Sequence, residues 1–277
     1  MKISSSDTPY RRPRFQLVFV STVVALIAFL SPAKGIKAIE KQLPFSPGEK
    51  LIFQVKWSFI PAGEAVLEVA PIETINGVKS YHFVLTARTY PFIDLFYKVR
   101  SRIDAYTDIG MTHSILYKKQ NQGKTKRDII VNFNWERQEA QYSNFGEKKK
   151  PISLLSGSFD PWSVFYAFRL HDLKSNMRIK APVTDGKKCV IGEIRVVRRE
   201  KIQVPSGTYD TYLVEPDLKH IGGVFKKIKD AKLKIWVTAD TRRIPVKIKG
   251  KVIVGSFVGE LIAVEKIGPD GSILKRR

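Results

Sequence analysis

The sequence predicts an all-β, mainly antiparallel fold: a large curved sheet or barrel-like structure with one central helix. Three observations predict it. In Lys232–Leu261, Leu233, Ile235 and Val237 alternate with Lys232, Lys234 and Trp236, and Ile244, Val246 and Ile248 alternate with Pro245, Lys247 and Lys249. Successive strand side chains point to opposite faces, so this period of two gives a meander with one apolar and one basic face. Short β-type runs also recur at regular spacing from Leu51 to Val214, the pattern of a curved or closing sheet. Only Asp160–Leu170 carries helix chemistry.

Taken in order, the chain begins with Lys2, Arg11, Arg12 and Arg14, followed by the apolar run Leu17–Leu30. That run falls short of the ~20 residues of a membrane-spanning helix and suits a secretory signal. Small residues at Ser31, Ala33, Gly35 and Ala38 predict cleavage near Ala33 or Ala38. Residues 1–38 therefore read as a signal peptide and residues 39–277 as one β-rich periplasmic domain. Cys189 is the only cysteine, which excludes an intramolecular disulfide.

Strands are expected at Leu51–Trp57, Gly63–Ile72, Lys79–Thr89, Phe96–Tyr106, Ser114–Lys119, Thr125–Phe133 and Glu139–Phe145. Asn76-Gly77 marks a hairpin, because both residues tolerate positive φ. After the helix come Met177–Val183, Lys188–Val197, Glu200–Val204 and Thr208–Val214, then the closing meander. Within Asp160–Leu170, Asp160 suits an N-cap and Pro161 the first helical position. Val164, Phe165, Phe168 and Leu170 form its apolar face, which either links two sheet halves or plugs one curved sheet. Two apolar loop stretches, Trp57–Pro61 and Tyr90–Tyr97, lie at strand junctions and read first as plugs buried in the core, and alternatively as the rim of an apolar cavity or a membrane-touching lip. Trp57, Phe59, Phe92 and Phe96 there, with Trp162 and Phe165 on the helix, are the candidate ligand-binding residues.

Several motifs occur in a fixed order: Pro47-Gly48-Glu49, Ala62-Gly63-Glu64-Ala65, Asp160-Pro161-Trp162-Ser163 and Val204-Pro205-Ser206-Gly207-Thr208-Tyr209. Ile235-Trp236-Val237-Thr238, Asp240, Arg243-Ile244-Pro245-Val246 and Gly255 complete the set. Together they resemble the bacterial domain of unknown function 3108 family of exported proteins, over residues 44 to 264. The resemblance implies export and assigns no activity. At the level of fold, the closing strands are also similar to periplasmic lipoprotein carriers, which implies a curved sheet wrapped around a helix over an apolar cavity.

The chain carries a net charge of +22, which becomes +17 when the six Lys/Arg and one Asp of residues 1–38 are removed. Such an excess favours anionic partners. Arg195, Arg198, Lys232, Lys234, Lys247, Lys249 and Lys251 form the candidate basic surface. Export excludes nucleic acid, leaving anionic lipid, glycolipid or acidic envelope polymers, with contact at a membrane surface.

The four histidines, His82, His113, His171 and His220, have no ligand spacing, so neither a metal nor a cofactor is expected. Gly255–Gly259 lacks the serine of a nucleophile elbow, and Gly123-Lys124-Thr125 lacks the first glycine of a phosphate loop. Asp104 and Asp108 read as charge balance. The predicted function is thus non-enzymatic: binding or carriage of an amphipathic anionic ligand. A basic envelope module that docks a protein or acidic polymer is the alternative, and an envelope hydrolase stands third.

Overall fold

The computed structural model describes residues 43–123, 126–217, 233–252 and 255–276. The expected signal segment 1–38, Lys124, Thr125, His220 and Lys232 lie outside the described residues.

Two meanders, each contiguous in the chain, make up the sheet. The first contains β1 (Glu49–Trp57), β2 (Ile60–Ile75), β3 (Val78–Thr89), β4 (Val99–Asp108), β5 (Ser114–Gly123), β6 (Arg127–Asn134), β7 (Glu139–Asn144), β8 (Glu147–Lys148) and β9 (Ile152–Ser153). The second contains β10 (Arg178–Thr184), β11 (Cys189–Val204), β12 (Gly207–Pro216), β13 (Leu233–Thr238), β14 (Pro245–Val252), β15 (Gly255–Ile267) and β16 (Ile273–Arg276). The strand order is β10-β11-β12-β13-β14-β15-β1-β2-β3-β4-β5-β6-β7-β8, with β9 on β7 and β16 on β15. The antiparallel β1–β15 ladder, from Glu49↔Lys266 to Trp57↔Phe257, splices the meanders together. Gly48 sits beside that splice at φ +87, where a Cβ would run into the Ile267 carbonyl oxygen.

Turn chemistry works as the residues predict. Asn76 and Gly77 both take positive φ between Ile75 and Val78, and Asp240 accepts from Thr238 Oγ1 (2.6 Å) and the Arg242 N–H (3.1 Å). The two strands expected over 188–197 and 200–204 are instead one strand, β11. A bulge between Val196 and Arg198 bends it without ending its pairing to β12.

The path is open, since β10 and β8 do not pair with each other, yet it curls back on itself. Segment 154–160 laces the two sides: the Ser158 carbonyl accepts from the Ser114 N–H on β5, and Phe159 bridges Val183 on β10. The β10–β11 turn lies on β6 and β7. Gly186 there, at φ +80, faces Val131 and Tyr142 so closely that a Cβ would overlap Val131.

Two helices occur among the described residues where one was expected. α1 (Pro91–Tyr97) occupies the stretch read as an apolar loop, with proline in its first turn, where a missing N–H costs no helical bond. α2 (Ser163–Phe168) is shorter than the expected 160–170. Asp160 does cap this segment, but it caps a preceding turn: its Oδ1 accepts from the N–H groups of Trp162 (2.8 Å) and Ser163 (2.9 Å).

The core converges on α2. Tyr166 and Ala167 enter a cluster with Phe45, Val69, Phe83, Tyr117 and Val131. Phe168 joins Ile179, Val196, Val214 and Val237 on the β10–β13 side. Trp162 and Phe165 pack against both the first cluster and a third one, built on Leu51, Phe53, Leu67, Val246 and Leu261. The helix therefore plugs the curved sheet, each fully buried large side chain contributing about 1.5–3 kcal/mol.

Candidate functional site

Cross-strand register lays the concave face out in rows. Leu67, Leu85, Ile103, Lys119 and Ile129 face one another across β2 to β6. The next row toward the open end is Phe53, Ala65, Ala87, Ser101, Asn121 and Arg127, and beyond it Val55 lies opposite Gly63 and Gly259. Val55, Ala65, Ala87, Ile248 and Phe257 are half-buried, so above α2 the apolar wall is neither sealed nor fully exposed.

Register also gathers the junctions at one end. Trp57 pairs with Phe257 and Ile60, Gly63 with Thr89, and Val99 with Gly123, so the β1–β2 turn, α1 and the end of β5 share that rim. Phe59 is 84% exposed, Leu95 80%, Phe96 72% and Phe92 66%, while Ile93 is buried beneath. Phe92 and Phe96 meet edge to face at 5.7 Å. α1 is fastened by Asp94, whose carboxylate accepts from Arg100 and from Thr89 Oγ1. The Arg100 hydrogen bond, then that of Thr89, lowers the Asp94 pKa.

The six candidate ligand residues thus fall into two groups. Trp57, Phe59, Phe92 and Phe96 share the rim, whereas Trp162 and Phe165 belong to the plug, stacked at 5.8 Å and packed into the core. Trp162 Nε1 is buried with no hydrogen-bond partner among the described residues.

The described basic-surface residues lie on the face opposite the apolar wall. Lys234 opposes Lys249, and Lys247 opposes Glu260. Acids answer several of them: Lys247 and Lys56 both hold Glu260 at 2.8 Å, Arg195 (2.6 Å) and Lys234 (3.8 Å) share Glu215, and Arg198 meets Glu200 at 3.1 Å. Lys249 and Lys251 are exposed and make no ion pair among the described residues. A groove of about 430 Å³ on the outer face of β2–β5 contains Arg88, Arg100 and Arg102, all paired, with Glu64, Asp94 and Asp104 respectively.

Three polar clusters join residues that are far apart in the chain. Arg169, fully buried at the end of α2, binds Glu49 through Nη1 (2.7 Å) and Nη2 (3.1 Å). It also donates to the carbonyls of Pro44 (3.0 Å) and Arg242 (2.9 Å), and its guanidinium lies over the rings of Phe45 and Tyr166. Asp160 takes the Ser114 hydroxyl at 2.6 Å, while its own N–H donates to that oxygen; burial pushes the carboxyl up despite these bonds.

The third cluster is on the outer face, where His82 stacks on Tyr106 at 4.3 Å. Its Nδ1 lies 2.7 Å from Glu73 and its Nε2 2.9 Å from Asp104. Burial opposes the charge on Asp104, but hydrogen bonds from His82 and Arg102 outweigh it and hold the pKa at about 2. Burial, then the charges of Glu73 and Asp104, pushes Tyr106 up to about 12. Asp108, four residues further along β4, caps the turn at Thr112 and His113.

Sequence reasoning missed Arg169, whose only signal is an arginine inside an apolar helix face. No group of His, Cys, Asp or Glu suited to a metal occurs among the described residues. No described helix is long and apolar enough to cross a membrane.

The motif residues are therefore fold-building parts: Glu49 receives Arg169, Gly48 permits the splice, and Asp160 locks the plug. Among solved structures, a beta-barrel-like protein of domain of unknown function DUF1849 from Brucella abortus is similar at 10% identity. That match covers 78% of this chain and 96% of the other, with a TM-score of 0.49. A Bacteroides fragilis protein with a YmcC-like fold is similar at 8% identity over 81% of this chain and 98% of its own, with a TM-score of 0.35. No curated protein matches the chain. The family described as "Protein of unknown function (DUF3108)" matches residues 52–262, which takes in all but the first of the motifs, and the chain belongs to it.

Proposed function

We propose that this protein is an exported, periplasmic binding or carrier protein for an amphipathic anionic ligand such as a lipid or glycolipid. The observation that carries the proposal is the concave apolar wall above α2, which runs through Val55, Ile248 and Phe257 to the rim of exposed aromatics. A concave apolar surface of this kind suits acyl chains. The rim suits a membrane interface, because a short helix showing Phe92, Leu95 and Phe96 outward can bury those side chains among head groups. The signal-type N-terminus supports export.

A second reading rests on Lys249 and Lys251: the outer face of β13 and β14 docks an acidic polymer or protein of the envelope. Gly259 separates the two readings. A Cβ there makes only ordinary contact with Phe53 (3.9 Å) and Ile248 (4.0 Å), so a side chain at this position adds bulk to the concave face beside Val55 and Ile248. Residues 39–277 should bind a fluorescent long-chain fatty acid saturably, and Gly259→Leu should weaken that binding about tenfold or more, close to 1.4 kcal/mol. Unchanged binding would place the probe elsewhere and leave the docking module as the better account.

A further inference from the structure

One position on the concave face breaks the apolar pattern. Lys119 stands in the row Leu67, Leu85, Ile103, Lys119 and Ile129, two residues along β5 from the buried Tyr117. Its immediate cross-strand neighbours, Ile103 and Ile129, both belong to or pack on the main core cluster. Lys119 is only half-exposed, and no acid among the described residues pairs with it. Burial lowers its pKa, and the charge of Arg127 lowers it further. A half-buried ammonium with no counter-ion and a second cation beside it is costly unless an anion joins them.

The surroundings are arranged for such an anion. Asn121, on the same face of β5, lies opposite Arg127 on β6 and Ser101 on β4. The Ser101 hydroxyl donates to Asn121 Oδ1 at 2.7 Å, which leaves the amide N–H groups of Asn121 as donors. Opposed residues on neighbouring strands have Cβ atoms about 5 Å apart, so Lys119, Asn121 and Arg127 can reach one small group. The row beside them narrows to Ala65, Ala87 and Ser101, whose short side chains leave room next to the ammonium. No carboxylate side chain occupies these rows across β2 to β6.

We infer that Lys119, Asn121 and Arg127 form an internal anion site that holds the carboxylate or phosphate head of an amphipathic ligand, with its apolar chain lying along Ala65, Ala87 and Val55. This deepens the carrier reading and rests on it. It places the head group inside the concave face, whereas the basic outer surface contributes attraction at long range.

The test compares hexadecanoate, hexadecyl phosphate and uncharged hexadecanol on residues 39–277. The parent should bind either anion at least about tenfold more tightly than the alcohol. Lys119→Met should abolish that preference while still binding hexadecanol, and Lys119→Arg should restore most of it. Lys118→Met removes the same charge from the opposite face of β5 and should leave the preference intact. Hexadecanoate favoured over the phosphate, or the reverse, identifies the head group. Equal binding of acid and alcohol by the parent, or a preference that survives in Lys119→Met, overturns the site and leaves the carrier reading standing. Failure of all three probes to bind overturns both.

Discussion

At the scale of single residues, polar side chains buried in this molecule act as fasteners. Arg169 has every face occupied, by Glu49, two carbonyls and two aromatic rings. Arg169→Met should destabilise by about 3–5 kcal/mol, because it strands the Glu49 carboxylate and two carbonyls. Adding Glu49→Leu should recover part of the loss, and urea midpoints of the two variants check both statements. Asp104 gives a pH prediction with a definite sign. Its folded pKa of about 2 lies below the ordinary 3.8, so its stabilisation is complete above roughly pH 4 and disappears as pH falls toward 2. Asp104→Asn should flatten the acid limb of the stability curve in that window; an unaltered limb would show that His82 and Arg102 do not hold the charged form. Neither fastener was legible in the sequence. Glu49 and Arg169 are 120 residues apart, and nothing in either neighbourhood names the other. Lys118 and Lys119 are adjacent in the sequence, and only the register of β5 sends the first outward and the second inward.

At the scale of elements, alternation revealed most strands, because a sheet with one buried face imposes period two on the chain. Helix α1 escaped that logic. Its seven residues span too few turns to show periodicity, and helices of that length depend on tertiary contacts, here the Asp94 tether to Arg100 and Thr89. Its aromatic face has no packing partner among the described core clusters, so replacing Phe92, Leu95 and Phe96 with Ser should move stability by no more than about 0.5 kcal/mol per site. The same triple variant should lose most co-sedimentation with anionic vesicles. Full retention would reject the rim as a membrane contact. Helix α2 was legible in type but not in length, since the Asp160 cap belongs to a turn that runs before the helix.

At the scale of the whole molecule, charge and apolar surface are segregated by the sheet itself: cations on the outer face of β13 and β14, apolar side chains on the inner. Lys234→Gln, Lys249→Gln and Lys251→Gln together should leave the denaturation midpoint equal or slightly raised, because like charges on adjoining strands repel. Vesicle affinity should fall by at most about 1 kcal/mol per charge removed, and the difference from the parent should shrink at higher salt. Equal binding of variant and parent would assign these lysines to solvation.

The splice of β1 onto β15 also governs how quickly the chain can find its fold. Each meander is built from neighbours in sequence, but their union awaits a contact between residues 49 and 266, and ladders of such separation form slowly because the chain must first lose the entropy of a very large loop. A permuted chain, with residue 276 joined to residue 43 and new ends opened in the exposed connection at 149–151, converts that late encounter into a local one. It should refold faster in stopped-flow tryptophan fluorescence while unfolding at nearly the parental rate.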